Sequence, residues 1–211
     1  MYVLYYFPQN ASLTPHMVLR EISVPFELRL VDRKNNAQKS AEYLKLNPNG
    51  LIPVLVADGV PIYETAAIAM YLADAHEQAG LAPAFKSPLR PHYYKWMFHL
   101  SNALQSEFRA WYYAHEYVSD PSLVDSVKLA TAARLGKAFE RIGAQLEGNR
   151  WLLGDQFSVA DLYLFMFMRW GMPLPVPPRS IAALADHAHR VALRPAVRAT
   201  LEFEGISEPF V

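Results

Sequence analysis

Short apolar stretches alternate with amphipathic ones along the first eighty residues, as strands alternate with helices. Residues 2–7 are rich in β-prone Tyr, Val and Phe, and apolar and polar residues alternate over 26–30, so both segments are predicted strands. Thr14-Pro15 has the form of an N-cap followed by proline at the first helical position, and Pro25 ends the predicted helix. The chain is therefore predicted to start with a β-α-β unit.

A β-hairpin and a helix follow this unit. Residues 53–56 and 60–63 are β-prone and flank Asp58-Gly59, a dipeptide typical of tight hairpin turns. A short helix over 40–46 is predicted before the hairpin and a longer one over 65–79 after it. This part of the chain is thus predicted to form an α+β domain.

Prolines interrupt the pattern over residues 81–90, which we interpret as a linker. Beyond it only helical spacing remains, over 91–117, 121–147, 158–170, 180–192 and 195–203. In the first of these helices five residues are predicted to share one face: Leu104, Phe108, Trp111, Tyr112 and His115. The sequence thus predicts an α+β domain over 1–80 and an all-α domain over 91–211.

The composition narrows the classes of function. Among 211 residues, 52% are hydrophobic and 19% charged, which is enough for a buried core, and 20 basic residues balance 20 acidic ones. A neutral chain lacks the positive field needed to bind nucleic acid or an anionic membrane. There is no cysteine, which excludes disulfides, cysteine-bound zinc and a protein thiol nucleophile. The seven histidines are scattered, so no metal site is expected.

No stretch resembles a targeting or membrane-spanning segment. The apolar start lacks a basic region and meets Pro8 at once. The longest strongly apolar run, residues 162–168, is far too short to cross a bilayer of ~30 Å. We therefore expect a cytoplasmic protein.

Ser158-Val-Ala-Asp161 has the spacing of a capping box at the start of a helix. Ser158 and Asp161 are expected to cap each other's backbone N–H groups, which is a structural rather than a catalytic role. Removing the Asp161 side chain is expected to cost on the order of 1 kcal/mol or more of stability.

Three motifs carry a resemblance to a known family: Asn47-Pro-Asn-Gly-Leu-Ile-Pro53, Ile62-Tyr-Glu-Thr65-Ala-Ala-Ile68 and Gly154-Asp-Gln-Phe-Ser-Val-Ala-Asp161. In this order, behind a β-α-β, β-β-α start, they resemble the cytosolic glutathione S-transferases. Ala160-Asp-Leu-Tyr-Leu-Phe165 and Arg194-Pro-Ala-Val197 are similar to the bacterial beta class. The resemblance implies a thioredoxin-like N-terminal domain, a helical C-terminal domain, glutathione as co-substrate and a homodimer.

The resemblance also implies how glutathione is held. Glu64 pairs with the γ-glutamyl ammonium, while Thr65 and the helix that it opens donate to the adjacent carboxylate. The alternative is that this pair only caps the helix. Ile52-Pro53 resembles the family's cis-proline step, which exposes the backbone of Ile52 to the cysteinyl part of glutathione; the alternative is a trans proline at a strand start.

The glycyl carboxylate of glutathione has less certain partners in the sequence. Lys39 and Lys34 are candidate cations and Gln38 is a weaker donor, although each is also compatible with an ordinary solvated surface position. Many relatives have a basic residue where this chain has Leu51.

The donor that activates the thiol is the central question. A donor or a helix N-terminus lowers the pKa of a thiol from ~8.5, and the resulting thiolate is the nucleophile. The beta-class cysteine position aligns with Ala11, so that cysteine is lost here. Ser12 is then the leading candidate, followed by Asn10 and Tyr6; the alternative for Ser12 is a loop hydroxyl that satisfies local backbone.

Phe108-Arg109 aligns with a His-Lys pair that lies near the site in beta-class enzymes. Together with Trp111, Tyr112 and His115 it is a candidate wall for an apolar electrophile, the alternative being core or interface packing.

The function expected from the resemblance is a glutathione S-transferase that activates the thiolate for attack on a hydrophobic electrophile. Glutathione-dependent peroxide reduction or isomerisation is a related alternative. From another class, a non-catalytic binding or scaffold protein fits the lost cysteine and Leu51.

Overall fold

The computed structural model describes all residues, Met1–Val211, and the chain divides into two compact units. The first contains Met1–Ala82 together with Ala192–Phe210, and the second contains Pro83–Val191 and the terminal Val211. The sequence analysis placed residues 91–211 in one helical domain, whereas the last helix clusters with the first unit.

A four-stranded mixed sheet forms the centre of the first unit. Its strands are β1 (Tyr2–Tyr6), β2 (Phe26–Leu30), β3 (Val54–Ala57) and β4 (Val60–Tyr63), in the order β2-β1-β3-β4. β1 runs parallel to β2 and antiparallel to β3, and β3 pairs antiparallel with β4. This is the predicted β-α-β, β-β arrangement, and the thioredoxin-like fold class is confirmed.

The first unit also contains the helices α1 (Leu13–Glu21), α2 (Ala41–Leu44), α3 (Thr65–Ala75) and α9 (Pro195–Phe203). α1 is buried from Leu13 through Leu19, and it packs against α3 and α9. The predicted helix over 65–79 ends earlier, at Ala75, and a 3-10 turn at Glu77–Ala79 and Gly80 follow it.

The second unit is helical throughout, as predicted. Its helices are α4 (Arg90–His99), α5 (Ser106–Tyr112), α6 (Val124–Leu146), α7 (Val159–Trp170) and α8 (Ala182–Ala192). α7 lies at the centre of this unit, because every side chain from Val159 through Met168 is buried. No helix in the chain is both long enough and apolar enough to cross a membrane.

The single helix predicted over 91–117 is interrupted twice. A π-helical segment, Leu100–Gln105, separates α4 from α5, and a 3-10 turn, Ala114–Tyr117, follows α5. The expectation that His115 shares a helix face with Phe108 is wrong, because His115 lies in the 3-10 turn after α5. The spacing of apolar residues does not show where an α-helix changes to a π or 3-10 helix.

The capping box at the start of α7 is confirmed. The Ser158 Oγ accepts from the Ala160 N–H (3.3 Å), and the Asp161 carboxylate accepts from the Ser158 N–H (2.9 Å). Asp161 is wholly buried and accepts two further hydrogen bonds that the motif does not predict, from the Leu152 N–H and the His187 Nε2–H, each at 2.9 Å. A capping residue thus also ties α8 and the preceding loop to α7.

Candidate functional site

Strand register brings the predicted glutathione-binding segments to one edge of the sheet. Val54 pairs with Tyr5 of β1 on one side and with Tyr63 of β4 on the other. Because both pairs are antiparallel, the residues just before Val54 lie beside the residues just after Tyr5 and Tyr63. Tyr6, the Ile52-Pro53 step and Glu64 therefore share this edge.

Glu64 and Thr65 have different surroundings at the start of α3. Glu64 is the N-cap residue, with φ of 75°, and its exposed carboxylate makes no capping hydrogen bond. Thr65 is 1% exposed, and its hydroxyl donates to the Ala11 carbonyl at 3.4 Å. Glu64 thus offers a free carboxylate beside a helix N-terminus, while Thr65 joins that terminus to the loop between β1 and α1.

The Ile52–Pro53 peptide is cis, as predicted, and Ile52 is half-buried ahead of β3. The preceding turn is held by two side chains that the sequence analysis did not identify as part of the site. The Tyr43 hydroxyl (2.9 Å) and the Asn47 amide (2.8 Å) both donate to the Leu51 carbonyl. The role of Asn47 could have been found from the sequence, because Asn47 is the first residue of the motif over residues 47–53. No sequence pattern pointed to Tyr43.

Lys39, a candidate for the glycyl carboxylate, extends over the same turn. Its Nζ donates to the Asn49 carbonyl at 3.1 Å and lies 2.8 Å from where a Cβ on Gly50 would stand. Gly50 also has φ of +59°, so a side chain is disfavoured there on both grounds. Lys39 is exposed and keeps two further N–H donors.

The other two candidates for that carboxylate lie in the same connection but differ in exposure. Gln38 is half-buried and its Nε2 is 3.4 Å from the Asn36 Oδ1. Lys34 is exposed, in a 3-10 turn capped by Asp32. Arg33 lies beside them, with its guanidinium 5.5 Å from the centre of the Phe7 ring.

The three candidate thiol activators occupy different positions around the β1–α1 loop. Ser12 is 0% exposed, and its hydroxyl donates to the Phe7 carbonyl (3.0 Å) and accepts from the Phe7 N–H (3.2 Å). The Asn10 Oδ1 accepts from the Ala11 N–H at 2.6 Å, which leaves the Nδ2 group without a partner in the chain. Tyr6 is half-buried, and burial, with a smaller contribution from Glu204, raises the pKa of its hydroxyl. Asn10 alone of the three carries an uncommitted donor in the loop itself.

The predicted electrophile wall is only partly exposed. Phe108 is wholly buried in an aromatic cluster, parallel to Phe167 at 5.8 Å, so it packs in the core of the helical unit. Tyr112 is 45% exposed and its hydroxyl donates to the Trp170 carbonyl at 2.9 Å. Trp111 is half-buried, with its ring 4.8 Å from that of Tyr112. These two rings present the apolar surface of α5.

The polar members of that wall are turned to other partners or to solvent. Arg109 pairs with Glu116 at 2.6 Å, and its guanidinium lies 5.2 Å from the centre of the Tyr113 ring. His115 is exposed. No three His, Asp or Glu side chains come together in a group that could hold a metal ion.

Comparison with known proteins identifies the family. The model of the glutathione S-transferase N-terminal domain matches residues 11–75, and that of the C-terminal domain matches residues 115–195. A glutathione S-transferase of Xanthomonas campestris is 32% identical over 204 residues, which cover 97% of this chain and 99% of that protein.

Solved structures agree with this assignment. A sphingomonad glutathione S-transferase complexed with glutathione is 31% identical, with a TM-score of 0.84 over 97% of this chain and 100% of its own. A beta-class glutathione S-transferase of Sphingomonas chungbukensis is 28% identical, with a TM-score of 0.85 over 97% of this chain and 100% of its own. The chain belongs to the glutathione S-transferase family and resembles its bacterial beta class, without that class's cysteine.

Proposed function

We propose that the protein binds glutathione at the sheet edge of its first unit, stabilises the thiolate and directs it to a hydrophobic electrophile. The observation that carries this proposal is the convergence of Glu64, the Ile52-Pro53 step and the β1–α1 loop at one edge of the sheet. The sphingomonad relative, solved with glutathione, supports the choice of ligand.

The chemistry of this edge suits the three parts of the tripeptide. The free Glu64 carboxylate pairs with the γ-glutamyl ammonium. The N–H groups at the start of α3 donate to the carboxylate of the same γ-glutamyl residue. The backbone of Ile52 lies outside the sheet ladder and is available to the cysteinyl part. Lys39 is our candidate for the glycyl carboxylate, because it is anchored to the turn yet exposed.

For thiol activation we place Asn10 ahead of Ser12 and Tyr6. A neutral amide N–H can donate to a thiolate, and the bond from the Ala11 N–H to Oδ1 orients the Asn10 amide with its donor free. The enclosed Ser12 hydroxyl already bonds to Phe7, which supports a role in closing the loop. Binding the two reactants together would itself provide a large part of the rate enhancement.

The second substrate is proposed to be a small hydrophobic electrophile, with the exposed Tyr112 ring and the half-buried Trp111 ring as candidate contacts. We further propose that the protein works in the cytoplasm as a homodimer, as the family resemblance implies. Light scattering after gel filtration measures the dimer: a mass near twice 23.9 kDa is expected, and a mass near 23.9 kDa would contradict it.

The experiment is a thermal shift with glutathione followed by conjugation to a generic aryl halide. A shift together with turnover is the expected result. A shift without turnover would favour glutathione-dependent peroxide reduction or isomerisation, each tested with its own substrate, or a binding role. No shift in a well-folded sample would leave the scaffold alternative and overturn the proposal.

A further inference from the structure

A chain of hydrogen bonds, centred on the buried His16 and Glu204 side chains, connects α9 to the β1–α1 loop within the first unit. The His16 Nδ1 lies 2.9 Å from the Glu204 Oε1, and both side chains are 0% exposed. The Arg20 Nε donates to the His16 Nε2 at 3.1 Å. The second carboxylate oxygen of Glu204 accepts the Gln9 N–H at 2.8 Å.

The two hydrogen-bond partners of His16 fix its tautomer. A guanidinium has no lone pair to offer, so the His16 Nε2 that faces Arg20 must be the acceptor. The single proton of a neutral imidazole is then on Nδ1, where it is donated to Glu204. The rings of Tyr6, Phe26 and Phe203 surround His16 edge-on, at 6.2, 5.9 and 5.4 Å. Inside this apolar enclosure an unsatisfied partner of the chain would be costly.

Glu204 is itself held by the way α9 ends. Gly205 follows with φ of +66°, its N–H donates to the Glu202 carbonyl (3.1 Å), and the Ile206 N–H donates to the Leu201 carbonyl (2.8 Å). These two bonds define a Schellman motif, with Glu204 as the C-cap residue. The carboxylate is therefore presented from a fixed helix end rather than from a mobile tail.

Gln9, which donates its N–H to Glu204, has an unusual backbone conformation. It has φ of +61°, a left-handed conformation that non-glycine residues seldom adopt without surrounding constraints. Asn10, the proposed thiolate donor, follows it directly. The loop also has local bonds, from Asn10 N–H and Ser12 Oγ to the Phe7 carbonyl, and one bond from α3, from the Thr65 hydroxyl to the Ala11 carbonyl. The Glu204 carboxylate thus holds the Gln9 N–H from a helix 195 residues away in the sequence.

We propose that Glu204 is a positioning residue: through the Gln9 N–H it fixes the loop that presents Asn10 to the glutathione sulfur. His16, which is itself held by Arg20, holds the Glu204 carboxylate. This inference rests on the proposed function. It also assigns α9, which lies outside the matched C-terminal domain at residues 115–195 except for Pro195, to the glutathione-binding half of the protein.

The test compares Glu204→Gln with Glu202→Gln, which makes the same charge change at an exposed position of α9. An amide at position 204 replaces one of the two acceptor oxygens by an NH2 donor, so His16 and Gln9 can no longer each donate to an oxygen of their own. Hydrogen exchange, resolved to single residues by NMR, measures the Gln9 amide. Its protection is expected to fall at least tenfold in the first variant and to stay within twofold in the second.

Calorimetry with glutathione separates positioning from a general loss of structure. An irreversibly unfolded fraction lowers the number of equivalents bound, whereas a displaced loop raises the dissociation constant at unchanged stoichiometry. Reversible unfolding raises the apparent dissociation constant only by the reciprocal of the folded fraction, which circular dichroism measures on the same sample. We expect Glu204→Gln to raise the dissociation constant at least fivefold and Glu202→Gln to leave it unchanged. Unchanged Gln9 protection and unchanged affinity in Glu204→Gln, or equal effects in both variants, would overturn the proposal.

If Glu204→Gln does not fold, the wild-type protein still decides. A Gln9 amide that exchanges as fast as an unstructured peptide, in a sample whose α1 amides are protected, would overturn the inference. Failure of wild-type protein to bind glutathione would instead overturn the proposed function, and the exchange measurement would still report whether Glu204 holds the loop.

Discussion

Asn10 and Ser12 lie two residues apart in one loop, yet their side chains differ in what they leave free. Ser12 is enclosed and makes two hydrogen bonds with the Phe7 backbone, while Asn10 uses only its oxygen. A residue's type makes it eligible for chemistry, but the bonds it already makes decide whether it is available.

Replacing these two residues is expected to have opposite consequences. Asn10→Ala should lower kcat/KM about 10- to 100-fold, because one hydrogen bond to a charged sulfur is worth about 1.5–3 kcal/mol. Ser12→Ala should lower the free energy of unfolding by about 1–3 kcal/mol, because it removes the partner of the half-buried Phe7 N–H. Steady-state kinetics and urea denaturation measure the two effects, with the exposed Asn102→Ala as the control. Wild-type kinetics in Asn10→Ala would remove it as the donor.

The sequence could predict some of these residues and not others. Glu64 and the cis Ile52–Pro53 peptide could be predicted because both lie in sequence motifs shared with the family. Each motif marks a particular place in the fold: Glu64 precedes a helix, and Ile52-Pro53 precedes a strand. The contact between Glu204 and Gln9 spans 195 residues, and no local pattern encodes it. The sequence predicted correctly that Ser12 lies in the β1–α1 loop. It could not predict that the hydroxyl is buried, because burial depends on tertiary packing.

At the start of α7, one buried residue, Asp161, accepts hydrogen bonds from three parts of the second unit. Asp161 accepts from the backbone of Leu152 and Ser158, from the Ser158 hydroxyl and from His187, with no exposure to solvent. The sequence predicted a cap of ordinary strength, because the partners in the loop and in α8 lie outside the motif.

Asp161→Ala is expected to lower the free energy of unfolding by about 3–5 kcal/mol, which is more than the loss of a simple cap. The reason is that the substitution leaves several buried donors without an acceptor. Chemical denaturation measures this loss. The exposed Asp155→Ala is the matched control and should stay within about 0.5 kcal/mol of wild type. A loss of only about 1 kcal/mol in Asp161→Ala would mean that the additional donors find water instead.

α4 carries a titratable group whose environment disfavours charge. Burial, and then the cations of Arg141 and Lys95, lower the pKa of His99 from its ordinary value of 6.5. The unfolded chain therefore binds a proton at a pH where the folded protein does not, so stability is retained above pH 6.5 and is lost as the pH falls below it.

His99→Gln should remove part of this loss, since glutamine does not titrate. Urea denaturation between pH 5 and pH 8 measures the slope of stability against pH. The difference from wild type should appear only on the acidic side, and the exposed His92→Gln should keep the wild-type slope. Identical slopes in His99→Gln and wild type would show that His99 titrates normally.

At the level of the whole chain, the division into units does not follow the order of the sequence. The linker was predicted at 81–90 from prolines and a change of hydrophobic period, which are local signals, and the second unit begins at Pro83. The return of Ala192–Phe210 to the first unit depends on tertiary packing of α9 against α1, which helical spacing alone does not indicate. Fold class was therefore predictable, while the membership of the last helix was not.

Isothermal titration of the protein with glutathione tests the central claim most directly, using wild type, Glu64→Gln and Glu77→Gln, an exposed charge change beyond the far end of α3. The account predicts one equivalent bound by wild type, affinity at least tenfold weaker in Glu64→Gln because the ammonium loses its charged partner, and wild-type affinity in Glu77→Gln. No heat of binding from folded wild-type protein at millimolar glutathione, or equal affinity in wild type and Glu64→Gln, would contradict it.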